Sequence, residues 1–277
     1  MLALTLALLA ASSFLGVGNT SPSGNSARMP NDASRTKLAE GEYAVSARFK
    51  EGGVGPFDPQ VFDFHESWTL WRAKDGGYEA DGVREFSSPK DEFHQDRFWL
   101  RLTRDWRLET VKEFAKLRWR SDSGPLVCDL EVIALHCSSN AKDPSQSIKL
   151  DLTMAHPYGF LWPISAFSLA SIARAEEKRL HEVMPVQVIT VEEPSVADPV
   201  FPLVIDGRLL YFGKMDVTLA GRKWKADKFE LEVPLHPKFL ILTARAGFLL
   251  DLMVEDPSAE SPAAEMKLVR YQQFADF

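Results

Sequence analysis

The chain has only two cysteines, no long basic run and no uninterrupted apolar stretch of the ~20 residues that a bilayer demands. Each shortage excludes something. A formal net charge of -7 without clustered Lys and Arg argues against a broad nucleic-acid footprint. Two cysteines alone do not make a metal site, and the scattered histidines show no HExxH spacing that would select zinc. No G-x-S-x-G elbow exposes a serine nucleophile. The glycine-rich Gly52-Gly-Val-Gly55 is not followed by GK[ST], so it does not read as a phosphate loop. No internal repeat of fixed period is present.

What the chain has is an ordinary globular composition, 45% hydrophobic and 26% charged over 277 residues. Residues Leu2 to Val17 are almost wholly apolar and lead into a small, polar stretch, so 1–27 reads as a signal peptide or an N-terminal anchor. No Lys or Arg precedes that run, and no cysteine follows it, which excludes a bacterial lipoprotein anchor. The chain is expected to be exported, to a periplasm or outside the cell. Residues 28–40 are expected to be a flexible linker and 41–277 a single β-rich domain.

Alternating apolar residues mark strands along most of that domain. Val61 to Trp71 carries Phe62, Phe64, Trp68 and Leu70 as candidates to pack, and Asp75-Gly76-Gly77 signals a turn. Ser123-Gly-Pro125 leads into a hairpin holding Cys128 and Cys137, nine positions apart. A turn near Glu131 to Ala134 sets the two face to face, and an even pair in an exported chain favours a disulfide. Two free thiols are the alternative. Leu203 to Phe212 is read as a further hairpin turning at Asp206-Gly207. Met215 to Leu219 and Trp224 to Val233 are strands separated by Ala220-Gly221.

One element stands apart. His156-Pro-Tyr-Gly-Phe-Leu-Trp-Pro163 opens a greasy segment, and Ile164 to Leu180 has the apolar stripe of an amphipathic helix. The fold class expected is mainly β (β-rich α+β): a curved antiparallel sheet wrapping one central helix near 164–180, like an incomplete barrel. Tyr158, Phe160, Leu161, Trp162 and Phe167 are then either plain core or the seat of a hydrophobic ligand. His65-Glu66 invites an acid–base or metal reading, but adjacent strand residues point to opposite faces. Arg97, Arg101, Arg104, Arg107, Arg118 and Arg120 make a locally basic region, read as a solvated face or as a contact for anionic headgroups.

Gly41-Glu42-Tyr43 before the first strand, the helix between two β halves, and the stretches Val217 to Leu231 and Leu240 to Leu250 resemble the exported domain-of-unknown-function family 3108. The resemblance covers roughly residues 41–271. Such proteins are similar in architecture to LolA/LolB-type lipoprotein carriers, whose curved sheet and helix enclose an apolar cavity. The resemblance implies a fold and a ligand class, and it places no catalytic residue on any position.

The expectation is therefore a non-enzymatic protein whose partner is a lipid or other hydrophobic small molecule, with no cofactor and no nucleic acid. A membrane-surface or envelope-protein contact is the further candidate partner. The alternatives are a hydrolase or lyase acting on carbohydrate or lipid, and a structural module with a filled core. The hydrolase or lyase needs paired carboxylates or an activated nucleophile.

Overall fold

The computed structural model describes residues 35–48, 61–87, 93–113, 126–130, 134–138, 147–151, 158–160, 180–192, 201–234, 238–255 and 264–276. Period-2 apolar patterning dominates them, and they form fifteen strands. The first half holds β1 (Arg35–Arg48), β2 (Val61–Ala73), β3 (Tyr78–Ser87), β4 (Phe93–Leu102), β5 (Leu108–Glu113), β6 (Leu126–Leu130), β7 (Ala134–Ser138) and β8 (Ser147–Asp151). The second holds β9 (Tyr158–Phe160), β10 (Val183–Glu192), β11 (Phe201–Leu219), β12 (Arg222–Glu232), β13 (Phe239–Ala244), β14 (Leu249–Val254) and β15 (Ala264–Gln273).

All fifteen belong to one sheet in the order β8-β7-β6-β5-β4-β3-β2-β1-β15-β14-β13-β12-β11-β10-β9. Each half is a meander of sequence neighbours, and the first and last strands join the halves at the centre. Every pairing is antiparallel except β9 with β10, which is parallel. Laid flat at ~4.8 Å per strand, such a sheet is nearly 70 Å wide. Yet its two outermost strands, β8 and β9, are consecutive in sequence. Seven residue steps separate Asp151 from Tyr158, and so short a tether spans at most ~25 Å. The sheet must therefore curl until its edges approach. The strand directions agree: β8 and β9 run oppositely, so the tether joins their ends at one rim.

Curling gives the sheet an inner face. Burial alternates along the strands: in β13 Phe239, Ile241 and Thr243 are buried and Leu240 and Leu242 half-buried, and in β14 Leu250, Leu252 and Val254 are buried and Asp251 and Met253 half-buried. Trp68, Leu70, Phe98, Leu100, Phe229, Ile241, Leu252 and Leu268 line the interior and are buried. A row across the sheet alternates large and small: Gly41, Trp68, Gly82 and Phe98 stand opposite one another in register. A Cβ on Gly41 falls 2.6 Å from Trp68 Cε2, and one on Gly82 falls 2.5 Å from Phe98. The indole of Trp68 needs Gly41, and the ring of Phe98 needs Gly82.

One rim is closed by side chains. Trp106, in the β4–β5 turn, holds φ at +64° and is 1% exposed. Its amide donates to the Thr103 carbonyl at 3.0 Å, its ring lies 4.9 Å from that of Tyr78, and it packs against Gly247 of the β13–β14 turn. Those two turns belong to strands far apart in the sheet order, so Trp106 reaches over the rim. A left-handed Trp costs on the order of 1–3 kcal/mol, which its burial offsets.

Two expectations change, and a third falls almost wholly outside the described residues. Residues 35–40, expected as linker, are the start of β1, and Leu38 and Ala39 are buried. Asp206-Gly207 does not turn the chain. It lies within the 19-residue strand β11, where Gly207 stands opposite Val186 and a Cβ would lie 3.0 Å from the carbonyl oxygen of Glu232, the residue paired with Arg208. That glycine serves a close approach of strands. The real turn is Ala220-Gly221, both residues at positive φ (51° and 68°), as a type I′ hairpin requires. The expected helix over 164–180 lies outside the described residues but for its last residue, Leu180, which is in a turn; the described ones contain strands and turns and no helix.

Candidate functional site

Of the five aromatic and aliphatic residues expected at a ligand seat, Tyr158 and Phe160 lie on β9. They stand opposite Gln187 and Ile189 of β10. Leu161, Trp162 and Phe167 lie outside the described residues. Along β10 the fully buried Val186 and Val188 lie on one face, and the fully buried Ile189 lies on the other with the buried polar Gln187. The cysteine hairpin forms where expected, with the backbone of Cys128 directly opposite that of Cys137 between β6 and β7. Opposed residues of an antiparallel pair have Cα atoms about 4.5–5.5 Å apart, inside the range a disulfide spans.

A polar group sits in the interior where the sequence suggested apolar packing. Tyr43 of β1, Glu66 of β2 and Arg84 of β3 occupy successive positions across the inner face. The Arg84 guanidinium Nε donates to Glu66 Oε2 at 2.9 Å, and the side chains are 5% and 0% exposed. Arg84 also lies 5.4 Å from the Phe98 ring. The Tyr43 hydroxyl donates to the Leu249 carbonyl at 2.8 Å. Burial, then the Glu66 charge, push the Tyr43 phenol well above its ordinary value. A second such pair lies on β11 and β12. There the Tyr211 hydroxyl donates to Asp227 Oδ1 at 2.8 Å, and burial with that carboxylate pushes the phenol up to about 12. His65 settles the adjacent-residue question, since it projects from the outer face. It is more than half exposed, with Nδ1 2.9 Å from Glu42 Oε1. His65 and Glu66 share no site.

The outer arginines are divided. Arg101 is held by Asp75, by Glu79 at 3.1 Å and by Glu109 at 3.4 Å, while Arg97, Arg104 and Arg107 are exposed. The Gly77 amide and then Arg101 hold the Asp75 carboxyl below its usual range.

At the rim that carries the Trp106 closure lies a cleft of about 250 Å³, walled by the β11–β12 hairpin, the β13–β14 turn and the end of β15. Its floor is aromatic. Trp224 meets Phe248 edge-on at 5.6 Å and Tyr271 edge-on at 5.0 Å, and Phe248 stacks on Tyr271 at 5.1 Å. Phe248 in turn meets Trp68 of the interior at 5.6 Å. The rim of the cleft is Arg222, Lys223, Lys225 and Arg245. The Arg222 guanidinium lies over Trp224 at 4.7 Å and near Tyr271 at 5.6 Å.

A solved structure shares this fold. It is a β-barrel-like protein of a domain of unknown function, DUF1849, from Brucella abortus, 11% identical, with a TM-score of 0.51 over 88% of this chain and all of that one. A DUF1089 family protein from Pseudomonas aeruginosa aligns over 73% of this chain and 94% of its own length, at 14% identity and a TM-score of 0.41. No family model matches the chain, that of family 3108 included, and no curated protein matches it. The barrel-like likeness concerns architecture, and it assigns no ligand.

The cleft was missed from sequence. Gly221-Arg-Lys-Trp-Lys225 was read only as a structural hairpin. The available signal was a tryptophan flanked by three cations at a tight turn. Arg245, Phe248 and Tyr271 join it only through the register of three other strands, β13, β14 and β15.

Proposed function

We propose that the chain is an exported, non-enzymatic binding protein that takes an acyl-like or other hydrophobic ligand into the space its curled sheet encloses. One observation carries this reading: a fifteen-stranded sheet with an apolar inner face whose outermost strands are tethered by six residues. Such a wall encloses an interior, and affinity for a greasy ligand then comes mainly from apolar area removed from water. Tyr158, Phe160, Leu161, Trp162 and Phe167 are the residues proposed to meet it. A Cys128–Cys137 bridge is proposed for the mature protein, in keeping with an oxidising compartment.

The test is native mass spectrometry of the purified protein, with solvent extraction of what it carries, followed by uptake of an uncharged hydrophobic fluorophore. The expected result is an extracted acyl compound or saturable uptake that the compound displaces. A protein that is empty and takes up no fluorophore refutes the reading. Thiol alkylation of the unfolded, unreduced protein tests the bridge, which predicts no labelled cysteine.

A further inference from the structure

The cationic cleft is a site of a different kind from the apolar interior. Its lining residues are Arg222, Lys223, Lys225 and Arg245 with aromatic, alanine and glutamine neighbours, and none of them is acidic. This is a local excess of positive charge on a chain of net charge -7. Several cations elsewhere on the surface are matched: Lys238 meets Glu230 at 2.8 Å, Arg208 meets Glu232 at 2.7 Å, and Lys267 meets Glu265 at 2.7 Å. Among the described residues, Arg222, Lys223 and Lys225 have no such carboxylate. Asp216, opposite Lys225 in register, makes no ion pair with it.

Geometry narrows the ligand further. Arg222 lies over the Trp224 ring, which limits its rotamers and presents its planar fork in a set direction. A fork so held suits the two-point recognition of an oxyanion. The neighbouring lysines add point charges, which favours a group bearing more than one negative charge. The cleft is smaller than the ~300–1,000 Å³ typical of drug-sized ligands, so it accepts a small group rather than a whole cofactor. The faces of Trp224 and Tyr271 offer apolar surface to a short organic stem.

We infer that this cleft binds a phosphate-bearing group, either of a small soluble phosphate ester or of a phospholipid headgroup. Arg222 would bind its oxygens, with Lys223 and Lys225 supplying charge. The inference does not depend on whether the interior holds a ligand.

Calorimetric titration of the full chain with glycerol 3-phosphate, and co-sedimentation with phosphatidylglycerol or phosphatidylcholine vesicles, test it. The variants are Arg222→Gln with Lys225→Gln, and Lys238→Gln as a control outside the cleft. Both sets change exposed side chains, and equal urea midpoints confirm that folding is intact. Saturable glycerol 3-phosphate binding, weakened tenfold or more by the double variant and unchanged by the control, supports a soluble ester. Binding to phosphatidylglycerol vesicles alone, with the same variant pattern and loss at high salt, supports a headgroup. Failure in both arms, or binding that the double variant leaves unchanged, overturns the site.

Discussion

Adding one methyl group at Gly41 should show how tightly the interior is built around Trp68. The new Cβ meets the indole at Cζ2 and Cε2, the second at 2.6 Å, and lies 2.9 Å from the Arg270 carbonyl oxygen. Trp68 cannot yield easily: its ring is hemmed by Tyr43 at 5.9 Å and Phe248 at 5.6 Å, and it is only 2% exposed. Overpacking of this kind costs roughly 1–3 kcal/mol, so Gly41→Ala should lose about that much. Trp68→Ala alone should cost roughly 3–5 kcal/mol through lost burial and a cavity. The double variant should be more stable than the sum predicts, by about 0.5–3 kcal/mol, because the methyl then enters the space the indole left. Part of the Gly41 cost remains, since the Arg270 carbonyl does not move with Trp68. Gly82→Ala is the internal contrast, for its Cβ collides with the Ser67 carbonyl and with Phe98 rather than with Trp68. Its cost should persist in the Trp68→Ala background. Urea denaturation of the four proteins of the cycle, compared at equal m-value, measures this. If Gly41→Ala costs the same in both backgrounds to within ~0.5 kcal/mol, the indole is not what the glycine accommodates.

Removing one partner of the interior ion pair, as in Arg84→Met, should destabilise by roughly 3–5 kcal/mol, because Glu66 keeps a buried charge. The apolar pair Glu66→Leu with Arg84→Met should recover much of that loss in the same denaturation assay, and a double variant worse than the single would overturn the argument. Asp251 predicts a pH effect. Burial, opposed by Lys267 and assisted by Glu265, pushes its carboxyl up to about 6 from 3.8, and Oδ1 is buried without a hydrogen-bond partner among the described residues. Between those values the folded state holds more protons than the unfolded one, so this group's contribution falls as pH rises from about 4 to 6 and stays lost above. Because the residue is only half-buried, solvent screening leaves a penalty on the order of 1 kcal/mol. Asp251→Asn should flatten the pH dependence of the urea midpoint across that window and raise it at pH 7; an unchanged profile would refute the assignment.

Much of the sheet was legible because its signals are local. Val61 to Trp71 alternates as a half-buried strand must, Asp75-Gly76-Gly77 turns the chain, and the cysteine hairpin turns after Leu130. Asp206-Gly207 misled for a physical reason. A glycine in a strand can mark a turn or a close approach, and only its neighbours Val186 and Glu232, on the strands to either side, distinguish the two. The first strand began earlier than expected because Arg35 to Glu40 lacks simple alternation; a register shift between Lys37 and Ala39 leaves Leu38 and Ala39 both buried. Glu66 was recognisable as a strand residue, but its partner Arg84 was not, since cross-strand pairing is absent from a one-dimensional pattern. The cationic cleft is the extreme case, drawing Arg222, Arg245 and Tyr271 from three separate turns and strand ends.

The central pairing of β1 with β15 has a consequence for how the chain is made. Ala39 stands opposite Gln273, and Ala47 opposite Ala264, so β1 waits for β15, which is made after every other described strand of the sheet. The meander β1 to β8 needs only near neighbours and can form early. Until β15 arrives, β1 offers a bare row of amide and carbonyl groups beside the hydrophobic Leu38, Tyr43 and Val45. Unpaired edges of that kind recruit other strands. A truncation that removes β15 should therefore yield an aggregating chain rather than a smaller folded one, and in the cell the interval between the two strands is when a chaperone has most to protect.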